Sequence, residues 1–328
     1  MRVLILLDCR GLRLHTRRRF VAQSAAALIG ALLWPGLKSM VAASSRPNLH
    51  FPAQPRDRIA IASYPFREVI TGPDEHGNDR SGATIDIKDF AAHVSAKFNV
   101  RKIEPWSRHF HSLDGKYLEQ FRTAVEKAQG AVVNIAVDGE HSPYSVDRAE
   151  REKAVAFSKQ WIDVAAAVGS PSIRNNMPDA KDSNPDVGRA AETLAYVADY
   201  GATKHVVVSL ENDNPVSEDP FFIVKVIEKV NSPWLHALPD FANTLVAAEE
   251  EYAYRGLQAM FAHAYSICHV KETEADTQGR MVHADLAKTF GMLKASHYQG
   301  YCSIEWDSPG DPYAGTQDLI DKAIRYLS

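Results

Sequence analysis

From residue 58 to the end of the chain, short apolar runs alternate with longer stretches whose apolar positions return every three or four residues. The short runs are bounded by Gly, Pro, Asn or Asp, and they predict strands at 58–64, 101–105, 131–138, 172–175, 205–211, 235–240, 265–270 and 301–305. The periodic stretches predict helices at 86–98, 116–129, 146–168, 187–200, 220–230, 245–262, 284–294 and 316–327. Most of these helices stop at Gly, Asn or a small polar cluster, as a helix end requires. Eight strands, each followed by a helix, is the count of a closed (β/α)8 barrel; an open doubly wound sheet usually holds about five or six strands. No GxGxxG follows the first strand. The predicted fold class is therefore α/β, a single-domain (β/α)8 TIM barrel over residues 58–328.

Ahead of this alternation the pattern changes. Thr16-Arg17-Arg18-Arg19-Phe20-Val21 leads into an uncharged, Ala-rich apolar run that ends at Leu37, and the small residues Val41-Ala42-Ala43 follow. Basic, apolar, small is the order of a secretory signal, and the Arg pair before x-Phe-Val resembles the twin-arginine export signal. The run is short and only mildly apolar for a membrane span. Residues 1–43 are therefore expected to be a signal peptide, and the mature protein to be periplasmic with no stable membrane anchor. The Pro-rich residues 44–57 are expected to form a mobile tail before the barrel.

Charge narrows the partners. The chain carries 37 basic and 41 acidic residues, a net charge of −4; without residues 1–43 the balance is 30 to 40, about −10. That argues against nucleic acid, since phosphate binding needs a basic surface. Cys9 leaves with the signal, and Cys268 and Cys302 fall within apolar strands, where buried free thiols are expected. The loop at 65–85 is long, polar and Gly-containing, a candidate lid.

In such a barrel, reactive groups sit at the carboxyl-terminal ends of the strands. The last four strands supply Glu211, Asp240, His269 and Glu305 at or next to their ends, separated by 29, 29 and 36 residues, one βα unit each. These four should occupy neighbouring strands at one level and converge. Three carboxylates and an imidazole brought together repel unless a cation holds them, so the set is a candidate site for one divalent ion. Hard oxygen ligands with one nitrogen suit Mn²⁺, Mg²⁺ or Co²⁺, with Zn²⁺ also compatible. Glu104 and Trp106 from the second loop, with Asn243, Lys271 and His283, are candidate substrate contacts, Trp106 as a stacking platform. His109, His111 and Asn175 are further candidate hydroxyl contacts, and Asp213 and Asp307 lie just beyond the ligands, where they would orient them.

Glu211, Asp240-x-x-Asn243, His269-Val270-Lys271 and Ile304-Glu305-Trp306 together resemble the xylose isomerase-like superfamily of sugar phosphate isomerases and epimerases, which also contains endonuclease-type barrels. The resemblance implies that the four matching positions bind one Mn²⁺-like ion. It also implies that Glu211 and Glu305 act as acid and base. The position of Asn243 is often His in ketose epimerases, so the substrate class stays open. A divalent ion chelating a carbonyl and the neighbouring hydroxyl acidifies the adjacent C–H and stabilises the enediolate. Return of the proton to the opposite face epimerises, return to the next carbon isomerises, and loss of a β-group eliminates. The reading is a metal-dependent sugar isomerase or epimerase, or a keto-sugar lyase. Export disfavours phosphorylated sugars, leaving a free sugar, a sugar acid or a 3-keto-glycoside; a homo-oligomer is compatible with the sequence.

Two other classes compete. A non-catalytic periplasmic sugar-binding barrel would not require two carboxylates at the ligand carbon. An endonuclease-type phosphodiesterase needs a His-rich three-metal centre, and Asn243 and the acidic balance oppose it.

Overall fold

The computed structural model describes residues 46–72 and 82–328; the expected signal peptide and the tip of the first loop lie outside the described residues. The eight predicted barrel positions are all occupied by strands. These are β1 (Ile59–Ala62), β2 (Lys102–Glu104), β3 (Ala131–Val132) with β4 (Ile135–Val137), β5 (Ser172–Asn175), β6 (Val207–Glu211), β7 (Leu235–Leu238), β8 (Ile267–Val270) and β11 (Tyr301–Ile304). All pair in parallel, in the orders β3-β2-β1-β11-β8 and β4-β5-β6-β7. Single bridges join the two arcs: Trp106 with Ala136, and Asp240 with His269. The fold is the expected α/β TIM barrel.

The third strand, expected as one run, is interrupted at Val133-Asn134. The break turns the buried Asn134 into a polar contact, with Nδ2 donating to Glu104 Oε1 at 2.6 Å and Oδ1 accepting from Ser172 Oγ at 2.6 Å. Local disruption of a ladder is a common way to re-aim a side chain near a functional site.

Among the described residues, eight α-helices surround the strands: α1 (Phe90–Phe98), α2 (Gly115–Lys127), α3 (Arg148–Val168), α4 (Val187–Lys204), α5 (Pro220–Val230), α6 (Glu250–Phe261), α7 (Leu286–Ala295) and α8 (Pro312–Leu327). Six of them begin on an aspartate whose side chain accepts a first-turn N–H: Asp114, Asp147, Asp186, Asp219, Asp285 and Asp311. Each supplies an acceptor to an otherwise unpaired donor and a negative charge to the positive helix end. Much of the acidic excess is thus structural. The last helix starts four residues earlier than its periodicity suggests, because Asp311 caps it and Pro312 fits the first turn.

Strand residues such as Ile61, Ile103, Ile173 and Val208 are fully buried against helix residues such as Phe90, Phe121 and Ile162. The free Cys268 and Cys302 are buried on adjacent strands, sulfurs 3.8 Å apart. An antiparallel hairpin that the periodicity does not announce, β9 (Thr273–Ala275) with β10 (Met281–His283), rises from the loop after β8. Its strands are three residues each, too short to show alternation, and its turn is fixed by Asp276 and by Gly279 at φ 75°.

The described part of the expected tail lies against the barrel. Leu49 N–H donates to Tyr265 Oη at 3.1 Å, which donates to Pro47 O at 3.0 Å. Phe51 meets Tyr265 and Tyr301 edge-on, both at 5.6 Å. This contact sits at the amino-terminal ends of β8 and β11. Among the described residues no helix is long and apolar enough to cross a membrane.

Candidate functional site

Glu211 is the last residue of β6, Asp240 lies two residues past β7, His269 is within β8, and Glu305 follows β11. All four are buried, and they present ligand atoms that all lie within 4.8 Å of one another. His269 Nδ1 is 2.7 Å from Glu211 Oε1 and 2.8 Å from Glu305 Oε2. Asp240 Oδ1 accepts the N–H groups of Ala242 and Asn243 at 2.8 and 2.7 Å, which leaves Oδ2 buried with no hydrogen-bond partner. Asn212, the residue after Glu211, clasps the backbone of Asp240 from both sides, Nδ2 to its carbonyl at 3.0 Å and Oδ1 to its N–H at 2.8 Å.

The electrostatics are those of an over-crowded anion site. Burial pushes the Asp240 carboxyl well above its usual range; Glu211 and Glu305 add to this, and Lys271 opposes it. Burial works against the charge of His269, yet Glu104, Glu211 and Glu305 hold its pKa well above the ordinary value. Glu305 is likewise penalised by burial but held low by His269 and Lys271. A proton on His269 Nδ1 would put a positive charge between the two glutamates. A divalent ion taking that lone pair would serve the same end and would also meet the unpaired Asp240 oxygen. The donor set, three carboxylates and one imidazole, fits such an ion.

Glu104, expected at the substrate, sits behind the cluster instead. It is fully buried, and its oxygens lie 3.0 and 3.1 Å from His269 Nε2. The chain Ser172–Asn134–Glu104 thereby assigns the Nε2 proton and directs Nδ1 at the other ligands. A carboxylate behind a ligating His is a recurrent device for fixing ring orientation.

Above the cluster opens a cavity of about 550 Å³. Trp106, Asn243 and Lys271 line it as expected, and so do Asp213 and Asp307. Trp106 is held by its indole N–H to Asp138 Oδ2 at 2.7 Å and by an edge contact with Tyr64 at 5.2 Å. Lys271 donates to Asn243 Oδ1 at 3.0 Å and pairs with Glu274 of the hairpin. Other expected contacts lie elsewhere. His283 is exposed on β10, His111 bonds Thr71 Oγ1 at 2.9 Å, and Asn175 accepts from Ser158 Oγ of α3 at 2.7 Å. His109 is fully buried, with Nδ1 2.8 Å from Ser63 Oγ. Arg174, Asp138 and Tyr64 also line the cavity, and no sequence motif singled them out.

The model of the xylose isomerase-like TIM barrel family matches residues 73–328. No curated protein sequence matches. Among similar solved structures, D-allulose 3-epimerase from Methylomonas sp. superposes with a TM-score of 0.62 at 15% identity, covering 85% of this chain and 100% of that one. The 3-keto-D-glucoside 4-epimerase of E. coli gives 0.58 at 15%, covering 81% and 98%. A xylose isomerase-like TIM barrel protein from Mycobacterium smegmatis, solved in complex with magnesium, gives 0.58 at 18%, covering 87% and 97%. With its family model matched from residue 73 to the last residue, the chain belongs to the xylose isomerase-like TIM barrel family.

Proposed function

We propose that the protein is a divalent-metal-dependent carbohydrate isomerase or epimerase that removes a proton beside a carbonyl, with elimination from a keto-sugar as the variant of the same first step. The observation that carries this reading is the convergence of Glu211, Asp240, His269 and Glu305 at the floor of an open, polar-lined cavity, with one Asp240 oxygen unpaired. The names of the similar structures, a 3-epimerase and a 4-epimerase acting on sugars, support it. When bound, the ion would polarise the carbonyl and acidify the neighbouring C–H. Glu211 and Glu305 are the candidate proton carriers. Trp106 and Tyr64 give the sugar ring an aromatic wall, and Asn243 and Lys271 offer hydroxyl partners.

Mn²⁺ is the proposed ion, and a free sugar or keto-glycoside the proposed substrate. The test is metal analysis of the purified protein followed by a panel of free ketoses and keto-glycosides in deuterated water. Metal-dependent incorporation of deuterium next to a carbonyl is expected. Tight sugar binding without exchange would sink the catalytic reading in favour of a binding barrel.

We also propose export by the twin-arginine route to the periplasm, motivated by Arg17 and Arg18 ahead of the apolar run. Replacing both with Lys should leave the precursor in the cytoplasm, and unchanged export would remove the proposal.

A further inference from the structure

The two glutamates of the cluster are not equivalent. Glu211 has both carboxylate oxygens engaged: Oε1 lies 2.7 Å from His269 Nδ1, and Oε2 lies 3.0 Å from Arg174 Nε. Glu305 approaches His269 Nδ1 with Oε2 at 2.8 Å, and its Oε1 has no hydrogen-bond or ion-pair partner among the described residues. The Glu305 side chain is also the more accessible, 11% exposed against 3% for Glu211.

Arg174 makes the difference. It is in the middle of β5, 6% exposed, where a guanidinium is costly to desolvate. Its Nη1 lies 2.8 Å from Asp138 Oδ1 and 3.4 Å from Val137 O, and Asp138 is itself tied to the Trp106 indole. The Nε–H is not aligned for a straight hydrogen bond to Glu211, so that contact is ionic. A planar fork pinned between two carboxylates cannot swing away to serve a substrate without abandoning both. It holds Glu211 by Oε2, the oxygen that does not face His269 Nδ1.

We propose that Arg174 is a positioning residue that occupies Oε2 of Glu211 and fixes this glutamate as a ligand only, leaving Glu305 as the one carboxylate that moves protons. The proposal rests on the proton-transfer reading above and narrows it. Glu305 takes the C–H proton, the C–H electron pair forms a carbon–carbon double bond, and the carbonyl π pair moves to its oxygen. Glu305 then returns the proton to the neighbouring carbon on the same face, while the hydroxyl proton passes to the former carbonyl oxygen. Alternatively the proton goes to a group expelled from the β-carbon. Neither route needs an oxidant or a reductant. Inversion at a single carbon needs a second proton donor on the opposite face, which Glu211 held in this way does not provide. With Glu211 held in this way, the pair of ligating carboxylates that inversion would use is reduced to one, and isomerisation or elimination is the expected outcome.

Two experiments test this. In the first, Mn²⁺ alone is the probe, titrated into the wild type and into Arg174→Gln by electron paramagnetic resonance, with folding checked by circular dichroism. Releasing Oε2 and removing one positive charge should tighten Mn²⁺ binding by about tenfold and change the spectrum of the bound ion. A merely structural Arg174 would lower the melting temperature and leave affinity and spectrum at wild-type values, and that result overturns the assignment. The second needs no variant: the wild-type holoenzyme is given the ketose and keto-glycoside panel in deuterated water. An isomer or an elimination product is expected; a product inverted at one carbon overturns the proposal while sustaining the proposed function. Absence of any exchange across the panel counts against the proposed function, and the Mn²⁺ titration still decides the role of Arg174.

Discussion

The two ends of the barrel treat charge in opposite ways. At the amino-terminal end, Arg58 donates to the carbonyls of Gly300 and Tyr298 at 2.9–3.0 Å, and Phe51, Tyr265 and Tyr301 close the floor with edge-on ring contacts. At the carboxyl-terminal end, Glu104, Glu211, Asp240 and Glu305 are buried around one imidazole, with an Asp240 oxygen unpaired. The first arrangement is complete as it stands. The second leaves a buried carboxylate oxygen without a partner, at a point where a cation would meet all four side chains. Violations of local consistency of this kind mark functional sites.

The comparison breaks most visibly at Glu305. Glu305→Gln keeps an oxygen for the ion but cannot carry a proton, so turnover in the deuterium-exchange assay should fall by at least about 100-fold, with Mn²⁺ affinity largely kept. Turnover within a few-fold of wild type would show that Glu305 is not a proton carrier. A second expectation follows from the incomplete upper face. Saturating Mn²⁺ should stabilise the protein, by about 2.7 kcal/mol at a hundredfold excess over Kd, which is several degrees of Tm for a domain of this size. Asp240→Asn should abolish most of that shift. A chelator that leaves the Tm unchanged would argue that the carboxylates need no ion.

How much of this was legible depended on depth along the barrel axis. Glu211, Asp240, His269 and Glu305 could be read because one βα unit separates each from the next, and a barrel brings strand ends to one face. Glu104 also ends a strand, yet its side chain lies one layer lower, behind His269 rather than beside the cavity. Strand-end position alone does not distinguish the two depths. Arg174 was invisible for a related reason: a charged residue inside a four-residue buried strand has meaning only once its partners Glu211 and Asp138 are known. His283 is a candidate contact by residue type alone, and the short hairpin carries it to the surface. Proline content is what marks residues 44–57 as a tail, and it does not announce the contacts that Leu49 and Phe51 make with the floor.

Glu218 sharpens the comparison through pH. Burial and the nearby Asp213 raise its pKa to about 8, against the opposing pull of the Asn214 and Met177 N–H groups and Arg174. A carboxyl whose folded pKa is raised binds more protons in the native state than in the unfolded one between about 4.5 and 8. Its contribution is therefore present at low pH and lost as pH rises through that window. Urea unfolding should show stability declining on the order of 2 kcal/mol from pH 5 to pH 8, and Glu218→Gln should flatten the decline. A wild-type profile already flat across the window would mean that Glu218 is ionised throughout.

The smallest effect is expected at the finished end. Phe51 is partly buried and makes two edge-on contacts, with Tyr265 and Tyr301. Phe51→Ala should cost about 1 kcal/mol, the worth of such ring contacts. It should lower the Tm by a few degrees. Because Tyr265 and Tyr301 stand at the starts of β8 and β11, while His269 and Glu305 stand at their ends, the loss should not travel up the strands. Mn²⁺ affinity and turnover should match the wild type once both are compared below the lower Tm. A fall in Mn²⁺ affinity without unfolding would show that the floor sets the register of β8 and β11, and that the two ends of the barrel are one cooperative device rather than a foundation and a site.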